Sequence, residues 1–127
     1  MANRYLYQFK GAFEAGVVDI YAKVAIGASG APTLVANQCK GIASIVHNSA
    51  GNYTINLMDP YVRTLLVSST HLSAAAPAAP SMYLVADNVT AANGQNIIVQ
   101  FNASGTPTDP SSGDQILIKI SLKNSSI

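Results

Sequence analysis

The sequence has 127 residues, enough for one domain with one core, and only 10% of them are charged against roughly 25% in an ordinary soluble domain. Net charge is +1, and the basic residues Arg4, Lys10, Lys23, Lys40, Arg63, Lys119 and Lys123 are scattered singly. This argues against nucleic-acid binding, which needs a clustered stripe, and a single cysteine excludes an intrachain disulfide or a multi-cysteine zinc site.

Met1 to Gly16 carries Arg4, Lys10 and Glu14 where a signal peptide would have an apolar core. No run approaches the ~18 apolar residues that span a bilayer, so no membrane partner and a cytoplasmic site of synthesis are expected. Arg4 to Phe9 is a weak strand candidate. Its aromatics Tyr5, Tyr7 and Phe9, with Phe13, have two readings: a partner-binding N-terminal arm (1–16), or a strand of the chain's own core.

From Val18 to Ile26 apolar residues recur at every second position, the period of a half-buried strand. A weaker strand is expected at Pro32 to Ala36. Cys39 is expected to be a small buried hydrophobe rather than a nucleophile. Ile42 to His47 and Tyr53 to Leu57 alternate on either side of Asn48-Ser49-Ala50-Gly51-Asn52, which predicts a hairpin. Asp59-Pro60 is suited to open one helical turn over Tyr61 to Leu65, since Asp caps first-turn amides and Pro fits the first position.

Further strands are predicted at Leu65 to Ser69, Met82 to Ala86 and Asn96 to Phe101. Between the first two, residues 73–80 form an Ala/Pro stretch whose prolines forbid a regular helix or central strand, and it reads as an extended connector. Asn102 to Gly113, with Pro107, Pro110 and two glycines, reads as a long surface loop. Ile116, Ile118, Ile120 and Leu122 line one face of the clearest strand. Together these predict an all-β fold: a single antiparallel β-sandwich over residues 1–127, jelly-roll or Ig-like, with about eight short strands and little helix.

Chemical motifs are sparse. Serines, His47, His71 and acids are present, but no G-x-S-x-G elbow places a serine beside a histidine, so each histidine is expected to be solvated or hydrogen-bonded. Asp109 and Asp114 flank a Pro-Ser-Ser-Gly turn and are expected to make turns. No paired-carboxylate signature, nucleotide-binding glycine pattern or metal-ligand spacing occurs, so no catalytic residue, cofactor or metal is expected. The sequons opened by Asn52, Asn88 and Asn102 are chance matches without a signal peptide. In place of charge the chain uses Ala, Ser, Thr, Asn and Gly, which can lie against another protein without the desolvation penalty of a buried charge.

Gly41-Ile42-Ala43-Ser44-Ile45, Ser49 to Leu57, Asp59, Tyr61 and Leu65-Leu66 resemble small structural proteins of tailed-phage virions. Gly105-Thr106, Asp109-Pro110, Ser112-Gly113, Ile116 to Leu122 and Asn124-Ser125-Ser126 resemble their closing strand and tail. The resemblance implies a capsid cement or decoration protein: a β-sandwich on the outside of the major capsid protein lattice, commonly a homotrimer at three-fold positions. Its localisation would be the virion surface and its role non-enzymatic. Two other readings are a tail or head-fibre component and a carbohydrate-binding β-sandwich adhesin. The latter is opposed by the absence of Trp and by tyrosines that fall mostly in strand-like segments.

Overall fold

A computed structural model describes residues 16–73 and 80–124. Its strands are β1 (Val17–Ile26), β2 (Pro32–Leu34), β3 (Ile42–Ser49), β4 (Asn52–Leu57), β5 (Arg63–Leu72), β6 (Ser81–Asn88), β7 (Asn96–Ala103), β8 (Thr106–Pro107) and β9 (Gln115–Lys123). Sheet A has the order β2-β1-β9-β5; sheet B has the order β3-β4-β7-β6, with β8 paired to β7. Every pairing is antiparallel. The chain is thus an all-β sandwich of two packed antiparallel sheets.

Alternation explains the packing. Ile20, Ala22, Val24 and Ile26 of β1 share a face with Ile116, Ile118, Ile120 and Leu122 of β9, and the register Ile20↔Ile120 and Val24↔Ile116 aligns them. Tyr53, Ile55 and Leu57 of β4 and Ile97, Val99 and Phe101 of β7 form the opposing layer. Both sets are buried, and the core is continuous between the sheets. The interior void beside Tyr53, Phe101 and Ile116 measures about 10 Å³, too small for an organic ligand.

Several expectations need correction. Residues 59–62 form no helical turn: Tyr61 N donates to Val89 O and Val62 N to Lys123 O, both at 2.9 Å or less, so strand ends take the amides that a helix would use. Short 3-10 turns occur instead at Ala28–Gly30 and Ala91–Asn93. Residues 102–113 are not a plain surface loop, because β7 runs on to Ala103, β8 folds back on it, and Pro110 and Asp114 are buried. The strand predicted at Arg4 to Phe9 lies outside the described residues, as do residues 74–79 of the Ala/Pro connector. That connector joins β5 of sheet A to β6 of sheet B.

Ile120 is fully buried on the central strand β9, so Ile120→Ala should cost about 2–5 kcal/mol of stability in urea titration, whereas exposed Ser68→Ala should be close to neutral.

Candidate interaction surface

The charge deficit is concentrated in sheet B. No Asp, Glu, Lys or Arg lies between Lys40 and Asp59 or between Asp87 and Asp109, and these two stretches supply β3, β4 and β7. The strand registers lay the outward side chains in rows. Ser44, Asn56, Asn96 and Asn88 form one row and Val46, Thr54, Ile98 and Ala86 the next. Asn52, Gln100 and Tyr83 follow, then Asn102 and Ser81. Asp87, the one acid of β6, registers with buried Ile97 and so projects from the side of the sheet opposite that row, exposed at the β6 margin, where its carboxylate accepts from Thr64 Oγ1 at 2.8 Å.

The outward amides are tied to their neighbours. Asn48 Nδ2 donates to Asn52 Oδ1 at 2.8 Å and to Thr54 Oγ1 at 2.7 Å, Asn56 Nδ2 to Ser44 Oγ at 2.9 Å, and Gln100 Nε2 to Asn102 Oδ1 at 2.9 Å. These bonds fix rotamers in advance and satisfy part of each amide's polar demand. The result is a neutral face with Val46 and Tyr83 about half exposed and Ile98 near its middle. Covering it requires no charge to be stripped of water, so it is chemically suited to a lasting protein contact.

Charged side chains lie elsewhere. Asp19, Lys23 and Lys119 are on sheet A, with Lys119 Nζ 5.9 Å from the ring centre of the exposed Tyr21. Lys123 is buried at the end of β9.

The histidines and loop acids have a structural role at one end of the sandwich. His47, on β3 of sheet B, lies 2.8 Å from Asp109 Oδ1; His71, on β5 of sheet A, lies 3.2 Å from Asp114 Oδ2. Two acids of one segment thus bind one histidine from each sheet and hold the segment across the sandwich. Asp109 Oδ1 also accepts from Gly51 N at 2.7 Å, and the Tyr53 hydroxyl donates to Gly30 O at 2.7 Å. Both glycines are required: a Cβ on Gly30 would strike the Asp109 carboxylate, and one on Gly51 would strike Phe101 O and Thr108 N. Each also has a left-handed φ.

This corrects the expectation that Asp109 serves its own turn, since its contacts reach across the fold. Sequence could not pair 47 with 109 or 71 with 114. Cys39 is also less buried than expected, and its thiol donates to Lys23 O at 3.2 Å. Among the described residues no group of three or more His, Cys, Asp or Glu could hold a metal ion, and no helix is long and apolar enough to cross a membrane. The expected partner-binding residues Tyr5, Tyr7, Phe9 and Phe13 lie outside the described residues. Comparisons with protein-family models, curated proteins and solved structures found no match.

Burial, with the nearby Asp109 charge second, pushes the Tyr53 phenol above its ordinary pKa of 10.0. Burial and then Asp59 raise Tyr61 in the same direction. The unfolded chain therefore releases these protons first as pH rises. Their contribution to stability is intact below pH 10.0 and is lost progressively above it. Urea titrations at increasing alkaline pH should show this decline, and Tyr53→Phe should make it shallower. Asp109→Ala removes an acceptor shared by His47 and Gly51 and should lower stability by about 1–3 kcal/mol at pH 7.

Proposed function

We propose that the chain is a non-enzymatic virion structural protein, a capsid cement or decoration protein that binds the outside of the major capsid protein lattice and stabilises the head. The observation that carries this reading is the charge-free outer face of sheet B. A soluble domain that stayed in solvent on all sides would gain solubility from charges there, and this face has none. The composition of the whole chain and the resemblance of its middle and end to tailed-phage virion proteins point the same way.

Binding works by adding buried area across joints between shell subunits, so that internal pressure must break more contacts before the shell opens. A lattice three-fold presents three equivalent surfaces, and symmetry then favours a homotrimer of the bound protein. The proposed role needs no cofactor, nucleic acid or membrane.

A second reading, a carbohydrate-binding adhesin, is favoured by one feature. Tyr21 is 60% exposed beside a shallow concavity of about 310 Å³ on sheet A that also contains Ser68 and Thr70. Specific glycan-array hits abolished by Tyr21→Ala would establish that reading.

Quantitative mass spectrometry of purified particles should find the chain in hundreds of copies; a count near six or twelve would indicate a tail or head-fibre component instead. Ile98→Glu places a charge in the middle of the neutral face and should reduce particle binding about a hundredfold or more while leaving the isolated chain folded. Tyr21→Glu, on the opposite sheet, should bind normally. Equal loss in both variants would overturn the assignment of the face.

A further inference from the structure

The two outer faces of the sandwich differ in chemistry. That of sheet B is neutral, whereas the registers of sheet A bring an aromatic ring, hydroxyls and two cations together. Across β1, β9 and β5, Tyr21, Lys119 and Ser68 form one outward row and Lys23, Leu117 and Thr70 the next. Ser68 and Thr70 are short, and the shallow concavity of about 310 Å³ lies between them and Tyr21, with Leu117 and Lys119 also in its lining. Tyr21 is 60% and Leu117 41% exposed.

These groups suit a sugar. The phenol ring and Leu117 offer apolar surface to the C–H groups of a pyranose, and the hydroxyls of Ser68 and Thr70 each donate and accept. β9 is paired on both sides, so its main-chain amides are taken by the ladders and recognition falls to side chains. No nest of free backbone N–H groups exists there for the phosphate chain of a nucleotide. The volume lies near the lower limit of the ~300–1,000 Å³ of small-ligand sites, room for a sugar ring rather than a large cofactor.

Charge narrows the class. Lys119 Nζ lies 5.9 Å from the Tyr21 ring centre, and Lys23 stands in the adjacent row. Among the described residues neither lysine has an ion-pair partner. Asp19, the one acid on this face among those residues, stands in the row beyond Tyr21, away from Lys23, and accepts from Ser121 Oγ at 2.7 Å. A sugar with an anionic group would meet both ammonium groups; a neutral sugar leaves them unused. A second concavity of about 300 Å³, beside Leu34, Cys39 and Met58, has neither an aromatic ring nor a hydroxyl in its lining.

We propose that the outer face of sheet A binds a saccharide bearing a carboxylate, a uronic or sialic acid. Its ring lies over Tyr21 and Leu117, its carboxylate faces Lys119 and Lys23, and its hydroxyls meet Ser68 and Thr70. The assignment rests on the carbohydrate reading of this concavity and is independent of any capsid role. The two roles are compatible, because a chain docked through the outer face of sheet B turns the opposite face to solvent, where many copies offset a weak single site.

The test is an NMR titration of the isolated full chain with methyl β-glucuronide, N-acetylneuraminic acid and methyl β-glucoside. One of the two acids should shift the amides of Tyr21, Thr70, Leu117 and Lys119 and saturate at millimolar concentration, and the acid that does so identifies the sugar. The glucoside should bind about tenfold more weakly or worse. Lys119→Gln should reduce the acidic sugar to the level of the glucoside, and Tyr21→Ala should abolish binding of both, with the β4 and β7 shifts unchanged as the check on folding. A glucoside that binds as tightly as either acid would overturn the proposal and leave the carbohydrate reading standing. Acetate that produces the same shifts at the same concentration would overturn it as charge alone, and no shift on sheet A with any sugar would overturn both.

Discussion

The structure depends on the apolar stripe of β9. Ile116, Ile118, Ile120 and Leu122 form an unbroken inward row on a strand that pairs along nearly its whole length with both β1 and β5. A slip of one residue would expose that row and bury Leu117 and Lys119, so burial fixes the register. Once sheet A is fixed, its inner face requires a second apolar layer, which the alternation in β4 and β7 provides.

The same period-two constraint divides the work of sheet B. Its inward positions are committed to the core, and its outward positions are free to vary. A solvent-facing sheet commonly carries charge there, yet β3, β4 and β7 carry carboxamides, hydroxyls and a few apolar groups. Lateral hydrogen bonds among Asn48, Asn52, Thr54, Asn56 and Ser44 keep this face ordered without ion pairs. Its chemistry would let it be covered without stripping water from a charge, and this links the folding pattern to the proposed assembly role.

Most of the fold was legible in the sequence because alternation is a local signal. Val18 to Ile26, the hairpin around Gly51 and Ile116 to Leu122 all fall within two residues of the observed strands. What local reading missed was set by long-range contact. Asp59-Pro60 has the chemistry of a helix start, but sheet ends at Val89 and Lys123 claim the following amides. Asp109 and Asp114 look like turn residues, but each meets a histidine far away in sequence. The neutral face was visible in part, as two long stretches without charge. Only the registers among β3, β4, β7 and β6 show that those stretches share one surface.

The central claim is that the outer face of sheet B is covered in an assembled particle. Hydroxyl-radical footprinting of the chain, free and on intact virions, tests this most directly. Tyr83 and Ile98 should be oxidised in the free protein and protected on the particle, while Tyr21 on sheet A reacts in both. Equal oxidation of Tyr83 and Ile98 in the two states would contradict the account.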